Sequence, residues 1–199
     1  MRLLRIIGLM VTLLVLYVPS SFADPITFTY QGTATGSLGG TGFINTAFTI
    51  TANGNTANRI QSQVGFTIVH DSVAITLTGL GTFIFITPTQ TAVNNISAFV
   101  VFGTPSPPLA LLVSSTNPVF STWDMLSSIG PVAGTGTAQQ WTLTHVLTSG
   151  GRLVFDSGQA VPGTFTATVT APVPEPATLV MALSGLAGLA GVLRRRRKL

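Results

Sequence analysis

The stretch Thr164-Phe165-Thr166-Ala167-Thr168-Val169-Thr170 alternates threonine with an apolar residue at every step. A period of two puts every second side chain on one face, which is the geometry of a β-strand. Phe165, Ala167 and Val169 then face a core, while Thr164, Thr166, Thr168 and Thr170 face solvent. Threonine suits a wet strand face because it is both β-branched and polar. The pattern recurs along the chain. Ile26, Phe28 and Tyr30 alternate with Thr27 and Thr29. Phe66, Ile68 and His70 share one phase, as do Val73, Ile75 and Leu77. Trp141, Leu143, His145 and Leu147 alternate with Thr142, Thr144, Val146 and Thr148. Short strands at this spacing predict an all-β domain, an antiparallel sandwich or jelly roll. Its expected core contains Phe28, Phe66, Ile68, Val73, Ile75, Trp141, Leu143, Phe165 and Val169.

Turn-forming residues punctuate the strands at Gly36 to Gly42, Asn53-Gly54-Asn55, Gly79 to Gly81, Pro105 to Pro108, Gly134 to Gly136 and Gly150-Gly151. His70-Asp71-Ser72 reads as a turn in which Asp71 bonds the backbone. Around Trp123 two readings stand. Either Ser121 or Thr122 caps a helical turn that ends at Gly130-Pro131, or a strand through Trp123 is followed by a turn.

The charge is concentrated at the ends. The whole chain carries a net +4, but Arg2, Arg5, Arg194, Arg195, Arg196, Arg197 and Lys198 hold most of it. Between Asp24 and Ala171, Arg59 and Arg152 stand against Asp24, Asp71, Asp124 and Asp156, a net charge of −2. Such a domain has no electrostatic footprint for DNA or RNA, so nucleic acid is not an expected partner. It is long enough for one domain with its own core. It has no cysteine, so neither disulfides nor thiolate metal sites contribute.

A catalytic constellation is hard to assemble from these residues. His70 and His145 both fall on strand patterns, and no Gly-x-Ser-x-Gly elbow frames a serine nucleophile. The few carboxylates are too sparse for a glycosidase pair, and no Asp-x-Asp run offers calcium ligands. Asn95-Ile96-Ser97 matches an N-glycosylation acceptor. The expectation is a protein that is not an enzyme and uses no cofactor or metal.

The two ends carry the strongest signals. Residues Ala177 to Leu193 contain no charge and would span ~26 Å as a helix, near the lower limit for crossing a hydrocarbon core. Gly185, Gly188 and Gly191 are tolerated in lipid, where they allow close helix approach. Arg194, Arg195, Arg196, Arg197 and Lys198 follow as a stop-transfer cluster that stays cytoplasmic. At the other end, Arg2 and Arg5 precede the apolar run Ile6 to Val18, which is the length of a signal-peptide h-region. Ser21-Phe22-Ala23 supplies small residues for signal peptidase, with the expected cut between Ala23 and Asp24.

Val173-Pro174-Glu175-Pro176-Ala177-Thr178-Leu179, the apolar span and Arg194 to Arg197 together resemble the PEP-CTERM sorting signal of exopolysaccharide-making Gram-negative bacteria. The same tail also goes by the name of an ice-binding protein C-terminal domain. The resemblance implies recognition by an exosortase, a membrane cysteine transpeptidase, with processing at or near Pro174, Glu175 and Pro176. It covers only about an eighth of the chain. Phe48-Thr49-Ile50-Thr51-Ala52 followed by Thr56-Ala57-Asn58, and later Ser128-Ile129-Gly130-Pro131-Val132, also resemble segments of ectodomains that accompany such tails.

The resulting plan is a signal peptide over 1–23, a β-rich exported domain over 24–171, a Pro-rich linker over 172–176, a transmembrane helix over 177–193 and a basic tail over 194–199. The expected product crosses the inner membrane and is held there by its tail. Processing then leaves it at the surface or in an exopolysaccharide matrix. The runner-up reading is a carbohydrate- or ice-binding module. Thr142, Thr144, Thr164, Thr166, Thr168 and Thr170 would repeat hydroxyls and methyls every ~6.7 Å along a strand. That ladder gains meaning only if neighbouring strands extend it into an array.

Overall fold

The computed structural model describes residues 24–105, 111–138, 146–156 and 159–170. The expected signal peptide, linker, transmembrane helix and basic tail lie outside them, as do Trp141, Thr142, Leu143, Thr144 and His145. The described residues are all-β. In chain order the strands are β1 Pro25–Leu38, β2 Thr41–Asn55, β3 Ile60–Gln61, β4 Gly65–Val69, β5 Ser72–Leu77, β6 Gly81–Ile84 and β7 Gln90–Asn94. They continue as β8 Phe99–Gly103, β9 Leu111–Thr116, β10 Ile129–Ala138, β11 Val146–Thr148, β12 Gly151–Phe155 and β13 Gln159–Val169.

All the strands join one antiparallel sheet, in the order β3-β4-β7-β8-β9-β10-β13-β1-β2-β5-β6, with β12 also on β1 and β11 on β12. The sequence predicts a sandwich or jelly roll of facing sheets, and the structure is sandwich-like, with all its strands joined in one continuous, curled ladder. Connectivity forces the curl. β4 and β5 lie eight ladder steps apart, ~38 Å on a flat sheet, yet only His70 and Asp71 join them. Two connecting residues reach ~11 Å at most, so the ends of the ladder must meet. They do: the His70 N–H donates to the Thr89 carbonyl just before β7 at 3.0 Å, and the N–H of the next residue, Asp71, donates to the Asn53 carbonyl of β2 at 2.8 Å. A bridge between Phe85 and Thr148 ties the chain after β6 to β11.

The long strand β1 makes the curl possible by changing partners. Ile26 to Gly32 pair with β13, a register shift falls between Ala34 and Gly36, and Gly36 to Leu38 pair with β12. A side chain at Gly36 would collide with the Val154 carbonyl, so the crossover requires glycine.

The inner face is aromatic. Phe28, Tyr30, Phe102, Phe120, Phe155 and Phe165 are fully buried. Of the expected core, Phe28, Ile68, Val73, Ile75 and Phe165 are buried, and Phe66 and Val169 pack against it half-buried. The alternation at Thr164 to Thr170 therefore reads correctly.

Three local expectations need correction. Asn53-Gly54-Asn55 and Gly134 to Gly136 are strand, not turn. At Gly134 an added Cβ would strike the Ser115 hydroxyl, so glycine there admits a close neighbour instead of a turn. The helical turn comes before Trp123, at Pro118–Ser121, because the Asn117 side chain caps it by accepting from the Val119 N–H and proline occupies its first position. Trp123 itself is buried in irregular chain, its indole N–H donating to the Ser127 carbonyl at 2.9 Å. Gly130-Pro131 ends no helix and instead sits within β10, where the pairing with β13 shifts register. Finally, the bond made by Asp71 to the backbone comes from its own N–H.

Candidate functional site

β13 lies between β10 and β1, so its outward threonines gain neighbours from a hairpin more than a hundred residues earlier. Register sets them in rows. Thr168 pairs with Thr27, Thr27 with Asn53, and Asn53 with Ser72. Thr166 pairs with Thr29, Thr29 with Thr51, and Thr51 with Ala74. Thr164 pairs with Gln31, Gln31 with Thr49, Thr49 with Thr76, and Thr76 with Thr82. Strands stand ~4.8 Å apart and successive rows ~6.7 Å apart, which makes a two-dimensional lattice. No member carries a charge. Every member is exposed or half-buried.

Hydrogen bonds hold the outer rows. Thr27 Oγ1 donates to Asn53 Oδ1 at 2.9 Å and Asn53 Nδ2 donates to Ser72 Oγ at 3.1 Å. Thr164 Oγ1 donates to Gln31 Oε1 at 3.0 Å, and the Thr76 and Thr82 hydroxyls lie 2.8 Å apart. The middle row differs: the side chains of Thr166, Thr29 and Thr51 bond no other described residue. Their hydroxyls are available to a ligand.

The sequence pointed to Thr164, Thr166, Thr168 and Thr170, and the structure places all four at the surface of β13 or just after it. Thr142 and Thr144 lie outside the described residues. Sequence reading missed Thr27, Thr29, Thr49 and Thr51 as members of one array. Their alternation with Ile26, Phe28, Phe48 and Ile50 was the available signal. Thr166→Val should change stability by no more than about 0.5 kcal/mol, because the lost hydroxyl has no partner and the shape is kept. A loss of several kcal/mol on urea denaturation would mean that the face is structural.

His70 is not part of this face. Its Nδ1 lies 2.8 Å from Thr89 Oγ1 and its Nε2 2.9 Å from Thr91 Oγ1. The ring stacks on Phe102 at 5.5 Å and tilts against Phe28 at 5.7 Å. Both nitrogens are therefore committed to threonines. Thr91 Oγ1 also lies 2.9 Å from the Tyr30 hydroxyl. Burial pushes the Tyr30 phenol well above its ordinary value. Although His70 retains some exposed area, its imidazole is enclosed, and burial pulls its pKa down to about 3.

A pH dependence follows. The unfolded chain takes up the His70 proton below about pH 6.5, while the folded one resists it until about pH 3. Stability is complete above the higher value and falls as pH drops through this window. By pH 5 the loss should be on the order of 2 kcal/mol. Urea midpoints at pH 7.5 and 5.0 measure it, and His70→Gln should flatten the difference. An NMR titration in which the folded His70 ring protonates near pH 6.5 would refute the effect.

Other polar features have structural tasks. Asn95 Nδ2 donates to the carbonyls of Phe120, at 2.6 Å, and Trp123, at 2.9 Å, so the acceptor amide of Asn95-Ile96-Ser97 is occupied internally. Arg59 lies over the Phe66 ring at 4.4 Å, and its Nη1 donates to the Asp124 carbonyl at 2.9 Å. A crevice beside the unpartnered Ser115 hydroxyl has room for about one water, too little for an organic substrate. Among the described residues no group of His, Asp and Glu could hold a metal, and no helix is long and apolar enough to cross a membrane.

Comparison with known proteins identifies the tail. Residues 172–198 match the PEP-CTERM protein-sorting motif. No curated protein and no solved structure matches the chain. The chain thus carries the sorting motif of an exported protein anchored through its C-terminal tail, and the motif implies processing by an exosortase.

Proposed function

We propose that this chain is the precursor of a non-enzymatic surface or extracellular-matrix protein of a Gram-negative bacterium. It crosses the inner membrane behind a signal peptide cut between Ala23 and Asp24. A single span over 177–193 holds it until the exosortase acts, and the β domain then joins the cell surface or the exopolysaccharide. The sorting motif at 172–198 carries this reading. Fractionation with intact-mass analysis tests it. A mature protein found outside the cytoplasm without Arg194 to Lys198 agrees, whereas a chain that keeps both ends in the cytoplasm does not.

The threonine lattice favours a second reading, a module that binds carbohydrate or ice. An array of neutral hydroxyls and methyls, with an unbonded middle row, offers hydrogen bonds to a repeating polar surface. Replacing Thr29, Thr51 and Thr166 by tyrosine should abolish retention on purified exopolysaccharide, or thermal hysteresis, without unfolding the sheet. Unchanged behaviour in both assays would remove this reading and leave the first intact.

A further inference from the structure

The middle row of the threonine lattice does not end in hydroxyls. It runs across the strands from Thr166 to Thr29 and Thr51, then reaches Ala74 and, paired with it on β6, Ile84. At ~4.8 Å per strand the row is ~19 Å long, with unbonded hydroxyls along its first half and aliphatic carbon along its second. Register widens the aliphatic end. The Phe85 N–H donates to the Val73 carbonyl at 2.9 Å, which sets Ile86 beside Ser72, and the Ile86 N–H donates to the Leu147 carbonyl at 2.8 Å. The Phe85 ring turns inward onto Phe102, at 5.3 Å, so Ile84 and Ile86 point outward. Ile84, Ile86 and Leu147 are 53%, 65% and 44% exposed, an apolar cluster joined to a face of hydroxyls.

Neither the row nor the cluster carries a charge. Asp71, one residue before Ser72, and Arg152, paired with Leu147, flank them. An acidic polysaccharide would meet no cation on the row, and the exported domain is itself net negative. Ice offers hydrogen-bonding groups alone and leaves the aliphatic end unmatched. A neutral sugar chain matches both ends. Its hydroxyls exchange hydrogen bonds with Thr166, Thr29 and Thr51, while the C–H faces of its rings cover Ile84 and Ile86 and take apolar area out of water.

We propose that this face binds a neutral polysaccharide whose chain runs across the strands, from Thr166 over Thr29 and Thr51 to Ala74, Ile84 and Ile86. The inference deepens the binding-module reading above and rests on it.

The test uses the full chain in lipid nanodiscs. Soluble glucan, mannan and galactan are the neutral probes, alginate is the acidic one, and thermal hysteresis reports ice binding. At least one neutral polymer should be held, equally well at roughly 0.05 M and 0.5 M salt, because no ion pair is there to be screened. Ile84→Ser and Ile86→Ser remove no hydroxyl, yet each should weaken that binding several-fold. Ile96→Ser, at a still more exposed isoleucine in the turn between β7 and β8, should leave it unchanged. All three variants should keep the parent's urea midpoint; should one of them unfold, the salt response and the alginate comparison still decide. Neutral binding that both Ile84→Ser and Ile86→Ser leave intact, neutral binding that fades with salt, or binding of alginate or ice alone overturns this inference and leaves the binding module standing. A parent chain that holds none of the polymers and shows no thermal hysteresis overturns both.

Discussion

Replacing Phe165 with alanine should destabilise the exported domain by about 3–5 kcal/mol, enough to unfold a fold of ordinary stability. The side chain is fully buried at the middle of the central strand β13. Four rings surround it: Tyr30 at 5.0 Å, Phe120 and Trp123 at 5.5 Å, and Phe28 at 6.4 Å. They come from β1, from the turn after β9 and from the irregular segment beyond it. Truncation would open a cavity among rigid aromatic neighbours, which relax poorly into it. Trp123 fluorescence during urea unfolding reports the change, with Thr166→Val as the control on the opposite face. If Phe165→Ala unfolds at the wild-type urea concentration, the aromatic cluster is not the centre of the core.

The contrast between Phe165 and Thr166 shows what local sequence contains. Strict alternation around Phe165 fixed which side chains go inward, and the structure agrees at Phe28, Ile75 and Ala167 as well. The tail was equally legible, because charge, apolar length and proline placement are local properties. Partnership was not. Thr166 meets Thr29 across 137 positions, and nothing near either residue specifies that register. His70 looked like an ordinary strand histidine, because Thr89 and Thr91, which satisfy it, lie about twenty residues away. Glycine was ambiguous for a physical reason. At Gly39-Gly40 it makes a turn with positive φ, whereas at Gly134 it makes room for Ser115, and the letter is the same. The continuity of the ladder within the sandwich-like fold was not legible either, since only long-range connectivity shows that His70-Asp71 must bring its ends together.

Replacing Pro174, Glu175 and Pro176 with alanine should convert a processed protein into a permanent precursor, an all-or-none change. The sequence chemistry explains why. A residue before proline is pushed away from helical geometry, so Val173 and Glu175 are both biased toward an extended shape. An extended peptide with an accessible backbone is what a transpeptidase can bind, and the Glu175 carboxylate adds a charge that the apolar span lacks. Three alanines remove that charge and have the highest helix propensity, so the helix expected from Ala177 could grow back through the site. Intact-mass analysis of the membrane fraction should then find the variant still carrying Arg194 to Lys198, while the parent has lost them. Glu175→Gln keeps both prolines and separates charge from shape. Slow processing of that variant would assign a role to the carboxylate, and normal processing would leave recognition to the proline-set backbone. If the triple-alanine variant is processed as fast as the parent, these residues are not what the enzyme reads.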